Sequence, residues 1–216
     1  MKRLINYIKS KIKIFFKKVL KSPLKNDCII LSNNCIAALL YNDYCMKFNS
    51  PTINLQIMPD EFVRFCGNLR FYLNSDLVED KNIDMNIYKD FHREGNPFPI
   101  AKLEDITIYF QHYDTFEDAK LAWSRRCNRV LKMVEDGYTV NVILIVKSCS
   151  KEMENNFSIL PIKSKKIITL DEQDESSAER IKGLRGDDDW YSFMPGFTLK
   201  KYYEQINFIE WLKKKK

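Results

Sequence analysis

A short apolar run that ends in a polar turn and then re-enters an apolar helix recurs along this 216-residue chain. That recurrence restricts the fold more than any other feature of the sequence. Asp27 to Leu31 reads as a core strand, Ser32, Asn33 and Asn34 as the turn, and Cys35 to Tyr44 as a buried helix. A loop through Phe48, Asn49, Ser50, Pro51 and Thr52 leads to an extended segment, Ile53 to Met58. Pro59, Asp60 and Glu61 then open a helix, because proline presets φ and the acids favour the positive end of the helix dipole.

The middle of the chain follows the same logic. Ile83, Met85 and Ile87 alternate as a strand does, and Ile106, Ile108 and Phe110 do so more clearly. Thr115, with Asp118 three positions on, caps a helix that runs toward Val134 and is broken at Gly137. Val140 to Val146 is a buried strand, and Lys166 to Leu170 another. The polar stretch Asp171 to Arg180 holds a short helix, and Leu199 to Leu212 closes the chain as a helix. These alternations predict one α/β domain, a central mixed sheet flanked by helices. No linker or repeat divides it.

Charge separates the chain into two regimes. Residues 1–24 carry Lys2, Arg3, Lys9, Lys11, Lys13, Lys17, Lys18 and Lys21 and no acid, and Lys213 to Lys216 end the chain. The interior is formally negative, so a general nucleic-acid surface is not expected. Leu4, Ile8, Ile12, Phe15, Phe16, Val19 and Leu20 recur near helical spacing among those lysines. The expectation for 1–24 is a basic amphipathic helix lying on an anionic membrane surface, with 25–216 as the folded domain. Packing of that helix on the domain and binding of another polyanionic partner are the alternatives. No secretory cleavage site follows it, which favours the cytoplasmic face of the membrane. The six cysteines, in mostly apolar surroundings, are expected to be reduced and largely buried.

Several segments together resemble the DUF1919 family. They are Ser32-Asn33-Asn34-Cys35, Phe48 to Thr52, Pro99-Ile100-Ala101, Leu103 to Ile106 and Phe110 to Tyr113, continued by Phe116-Glu117, Trp123 and Arg125-Arg126 with Arg129. Tyr202-Tyr203 and Phe208 to Trp211 complete the pattern, over about Asp27 to Leu212. The family is largely uncharacterised, and its members are often described as exopolysaccharide or capsule biosynthesis proteins. The resemblance implies an α/β fold and a cell-envelope carbohydrate setting, and supplies no reaction.

Residue chemistry ranks the candidate positions. Ser32, Asn33 and Asn34 introduce a helix whose backbone donors suit phosphate or sugar oxygens, the alternative being a simple helix cap. Asn49, Ser50 and Thr52 form a second polar loop, expected near the first and able to orient a polar substrate with it, the alternative being that Asn49 closes a turn and Pro51 fixes the extended segment after it. His112 is the candidate general base, with Tyr109, Tyr113 and Asp114 available for orientation or charge stabilisation, the alternative being a purely structural histidine; His92 is a weaker choice. Arg125 and Arg129, four apart on one helix face, suit a phosphate or carboxylate, and Arg126 points elsewhere; salt bridges to the domain's acids are the alternative. Asp187 and Asp189 form a D-x-D pattern that would hold magnesium or manganese, against the reading of Gly183 to Asp189 as a solvated turn.

There is no P-loop, dinucleotide fingerprint, G-x-S-x-G elbow or C-x-x-C pair. The resulting expectation is a surface-polysaccharide biosynthesis protein, a transferase acting on a sugar or sugar-phosphate intermediate. The alternative is a non-catalytic adaptor recruiting polysaccharide biosynthesis proteins to the membrane.

Overall fold

A computed structural model describes residues 28–84, 86–91, 97–169, 176–180 and 205–213. The expected amphipathic helix at 1–24, the His92 loop and the Asp187–Asp189 run lie outside the described residues.

Strand β1 (Ile29–Ser32) enters the core first and is followed by α1 (Ile36–Asp43). Next come β2 (Gln56–Ile57), α2 (Pro59–Gly67), α3 (Leu69–Asn74), β3 (Val78–Glu79), α4 (Ile87–Asp90), β4 (Ile100–Leu103) and β5 (Ile106–Tyr109). The long helix α5 (Phe116–Glu135) leads to β6 (Val140–Val146), α6 (Lys151–Ser158) and β7 (Ser164–Thr169). The last described elements are β8 (Glu179–Arg180) and α7 (Phe208–Lys213).

The strands form two sheets. One is wholly parallel, in the order β1-β6-β7-β8, and the other antiparallel, in the order β2-β5-β4-β3. The α/β expectation holds, while the single mixed sheet is corrected to two. Glu104 takes a φ of 57° in the tight turn between β4 and β5, which pair antiparallel as a hairpin.

Alternation within the parallel sheet separates two cores. Ile29, Leu31, Val142, Leu144 and Val146 face α2, α5 and the antiparallel sheet, together with Phe62, Phe65 and Trp123. Ile30, Ile143, Ile145 and Ile168 face α1 and α7. Both faces of the strands are buried, which explains their continuous apolar runs. A third, aromatic cluster of Tyr88, Phe91, Phe98, Ile100 and Tyr109 covers the far face of the antiparallel sheet.

Other expectations change in detail. Ile83 and Ile87 do not lie in a strand. The strand is Val78–Glu79, and Ile87 begins a helix, because Tyr88 and Phe91 must turn together onto Phe98. Glu179–Arg180 pairs in parallel with β7 rather than ending a helix. The 151–158 helix was not anticipated, although Ser150 caps it by accepting from Met153 N–H at 3.1 Å. Thr115 caps α5 as expected, accepting from Asp118 N–H at 3.2 Å, and Gly137 ends the turn after it with a φ of 82°.

Candidate functional site

The C-terminal end of β1 gathers most of the buried polar side chains. Ser32, Asn33, Asn34, Asn49, Ser50, Thr52, Gln56 and Arg126 are all buried. In parallel sheets this edge is where ligands are generally received, since the strands stop there and loops take over.

Each residue of the Ser32–Asn34 turn is engaged within the protein. Ser32 Oγ accepts from Ala37 N–H at 3.1 Å, and Asn34 Oδ1 accepts from Ile36 N–H at 3.1 Å. The first donors of α1 are therefore capped by the turn itself. Asn33 acts as an additional strand residue. Its amide donates to Ile145 O and its Oδ1 accepts from Ile145 N–H, both at 2.9 Å, so it continues the ladder beyond Ser32. Asn33 O also accepts from Ile57 N–H at 2.9 Å, tying the antiparallel sheet to the same turn.

The second polar loop lies against the first, as its composition suggested. Thr52 Oγ1 accepts from Ser32 N–H at 3.0 Å and sits 3.0 Å from Ser50 Oγ. Two residues back along β1, Ile30 N–H donates to the Tyr41 hydroxyl at 2.7 Å. That hydroxyl lies 2.9 Å from Asn49 O and 3.1 Å from Cys28 O, either of which can accept its proton. The outer edge of β1 thus has side-chain oxygens where a neighbouring strand would be, which keeps it from pairing with another chain. Burial holds the Tyr41 hydroxyl far above the usual tyrosine range, so it remains protonated.

The α5 arginines depart from the sequence expectation. Arg125 is exposed, and it is Arg126 and Arg129, three apart, that reach the 48–53 loop. Arg126 is only 8% exposed; its Nη1 donates to the Tyr113 hydroxyl at 2.6 Å and to Ile53 O at 3.5 Å. Arg129 Nη1 donates to Phe48 O at 2.7 Å. Among the described residues, no carboxylate pairs with any of these three arginines; the ion pairs belong to Arg64, Lys81 and Lys166. The salt-bridge alternative is therefore corrected. The periodicity did contain the signal for Arg126, which falls on the same stripe as the buried Trp123, Cys127 and Val130.

Tyr109 and His112 fall close by in sequence but in different surroundings. Tyr109 is buried, with its ring 5.0 Å from that of Phe91. His112 is exposed in the turn between β5 and α5, beside Gln111 and Tyr113. Sequence reasoning missed Gln56, which pairs with Tyr109 across the sheet and is 4% exposed. Its Oε1 accepts from Gln111 Nε2 at 3.0 Å, while its own Nε2 is buried with no partner.

Away from this cluster, a groove of about 750 Å³ runs between α2 and α6, lined by Arg64, Glu152, Met153 and Ile159 among others. None of the sequence-derived candidates lines it. All six cysteines are free; Cys35, Cys66, Cys127 and Cys149 are buried and Cys28 and Cys45 half-buried. Burial pushes the Cys35 and Cys127 thiols up to about 12. Among the described residues, no helix is long and apolar enough to cross a membrane.

Comparison with known proteins adds two findings. The model of a domain of unknown function, DUF1919, matches residues 5–213, and so takes in most of the basic opening segment as well as the folded body. The chain is also 29% identical over 211 residues to an uncharacterized protein of Haemophilus influenzae, covering 92% of this chain and 91% of that protein.

Proposed function

The chain belongs to the DUF1919 family, and from that premise we propose that it is a surface-polysaccharide biosynthesis protein, a transferase acting on a sugar or sugar-phosphate intermediate. The observation that carries this reading is Arg126. Its guanidinium is largely covered, meets only the Tyr113 hydroxyl and Ile53 O and has no carboxylate beside it, whereas charges so placed are ordinarily paired or hold a ligand of opposite sign. Arg126 and Arg129 bracket the 48–53 loop at the ligand-receiving edge of the parallel sheet, and a phosphate would supply the missing charge.

In this reading Arg126, supported by Arg129, holds the phosphate and stabilises the charge that develops as it leaves. His112, in the turn that carries Tyr113, takes the proton from an acceptor hydroxyl as that oxygen bonds to the sugar carbon and the bond from that carbon to the phosphate oxygen breaks, the phosphate leaving on Arg126. Magnesium or manganese at Asp187 and Asp189 would share the phosphate charge. Residues 1–24 would hold the protein at the anionic inner face of the membrane, where lipid-linked intermediates are met.

Thermal unfolding with inorganic phosphate, sugar phosphates and sugar nucleotides, each with and without magnesium or manganese, tests the proposal. A ligand at one hundred times its Kd stabilises by about 2.7 kcal/mol. The expected result is saturable stabilisation that is lost in Arg126→Met. No stabilisation of the wild type, or equal stabilisation of the variant, overturns it.

The adaptor reading also has a specific observation behind it. The turn and loop polar groups Ser32, Asn33, Ser50 and Thr52 are occupied by internal hydrogen bonds, as a purely structural core requires. An adaptor would retain partner proteins and anionic vesicles through residues 1–24 while ignoring every phosphate compound.

A further inference from the structure

We propose that the groove between α2 and α6 is the seat of residues 1–24 of the same chain, whose apolar face lies along it whenever the segment is not on a membrane. The inference is independent of the transferase reading and gives the basic segment a second place to bind.

The groove encloses about 750 Å³. Val63, Met153 and Leu160 supply apolar side chains to it, and Ile159, at 79% exposure, stands at its edge. An isoleucine left in water gains by being covered. Gly67 closes α2 against Leu160, where a Cβ would come within 3.5 Å of the leucine side chain. The two helices therefore end together, and their first turns share the opposite end. That end carries Asp60 on one wall and Glu152 on the other, and among the described residues no cation pairs with either. Arg64 also lines the groove, but its guanidinium is engaged by Asp105 at 3.0 Å. The groove is thus apolar along its length and acidic at one end. It complements a segment that has basic residues, no acid and one apolar face.

The chain also enters at the matching end. Asn141 Nδ2 donates to Ile29 O at 2.9 Å and to Cys28 Sγ at 3.4 Å, while its Oδ1 accepts from Ser164 Oγ at 2.6 Å. Cys28 and Ser164 therefore lie side by side, and Ser164 follows closely on Leu160 and Pro161 at the foot of the groove. Residues 25–27 can cross about 10 Å, so the segment arrives at the Leu160 end and runs toward the acids. As the helix that the sequence predicts, Ile12 to Leu20 extends about 12 Å, close to the roughly 10 Å that separates Gly67 from Asp60 along α2. Phe16 and Leu20 then fall beside Met153 and Leu160. Lys9 and Lys11, on opposite margins of the apolar face, reach the two acids. The family model begins at residue 5 rather than at β1, so the segment belongs to the shared sequence, as befits one packed on the domain.

Photocross-linking of the full chain without lipid tests this, with p-benzoylphenylalanine in place of Phe16 and, as a control, in place of Lys17 on the opposite face. The expected result is a cross-link within one chain from position 16 to peptides 60–67 and 150–161, read by mass spectrometry, and none there from position 17. Ile159→Asn adds no charge and removes a side chain that is already exposed, so the fold is kept. It should weaken docking about tenfold. The cross-link yield should fall, and the apparent affinity for anionic vesicles should rise by up to the same factor, because more of the protein holds its segment free.

Cross-links to another surface or to a second copy, or none at all, overturn the proposal. So does an unchanged yield in Ile159→Asn, or vesicle binding that is present but no tighter in that variant. Vesicle binding without the groove cross-link leaves the membrane attachment standing alone. The groove cross-link without vesicle binding removes that attachment and leaves the docking in place.

Discussion

Replacing Tyr41 by phenylalanine isolates what protects the edge of the parallel sheet. The ring is fully buried and meets Phe48 edge-on, with centroids 5.9 Å apart, and phenylalanine keeps that contact. Only the hydroxyl is lost. Ile30 N–H, in a fully buried residue, then has no acceptor, and Asn49 O and Cys28 O lose a shared donor. An abandoned buried donor costs about 1–3 kcal/mol, and the carbonyls add less because each has a second lone pair, so the total is about 2–4 kcal/mol. With a urea m-value of about 2 kcal/mol/M, the unfolding midpoint should fall by about 1–2 M. Native-state hydrogen exchange should show the Ile30 amide opening sooner than that of Leu31. Tyr138→Phe, at an exposed ring, serves as the control and should leave the midpoint unchanged. A loss below about 0.5 kcal/mol in Tyr41→Phe would show that water or a backbone shift replaces the hydroxyl, and the account of the edge would be wrong.

Two further outcomes follow from the ionisable groups, and one from the basic segment. The Asp105 carboxyl is held below its ordinary value, first by the Tyr72 hydroxyl at 2.7 Å and also by Arg64. Its contribution to stability is therefore present above the ordinary carboxylate pKa and lost as pH falls through the lowered one. Tyr72→Phe should raise the Asp105 pKa in a carboxyl NMR titration and shrink that acid-side loss; an unmoved titration refutes the assignment. Iodoacetamide at pH 8 should label Cys45 before Cys35 and Cys127, whose thiols burial keeps protonated, and equal labelling rates by mass spectrometry would contradict that burial. Deleting residues 1–24 should abolish sedimentation with anionic vesicles at low salt, whereas retained binding removes the proposed membrane attachment.

What could be read from the sequence was whatever local spacing determines. The Thr115 cap, the stop at Gly137, the Pro59 entrance and the buried Val140–Val146 strand all follow from side chains within a few residues of one another. The proximity of Asn49–Thr52 to Ser32–Asn34 was also anticipated, from loop placement. The pairing of β2 with β5 was beyond such reasoning. A two-residue strand has too little alternation to declare a partner, and its register depends on the distant hairpin at Glu104. Arg126 was misplaced because charge was read ahead of periodicity, although its spacing from Trp123 and Val130 marked the buried side. Gln56 looked like the polar member of an ordinary alternating run, and only its burial beside Gln111 gives it significance.

The route of the chain between β1 and β6 has a kinetic consequence. Asn33 and Ile145 join the two strands across 112 residues, and the whole antiparallel sheet and α5 lie between them. Closing so long a loop at the outset carries a large entropic cost with few contacts to offset it. The β4–β5 hairpin and the capped α5, whose contacts are local, are positioned to form early and bring the ends together. The β1–β6 pairing is then the last to form, and the polar edge at Ser32–Asn34 is completed only once the excursion has folded. A nascent chain would therefore acquire its candidate site late, once β6 has been synthesised and has returned to β1.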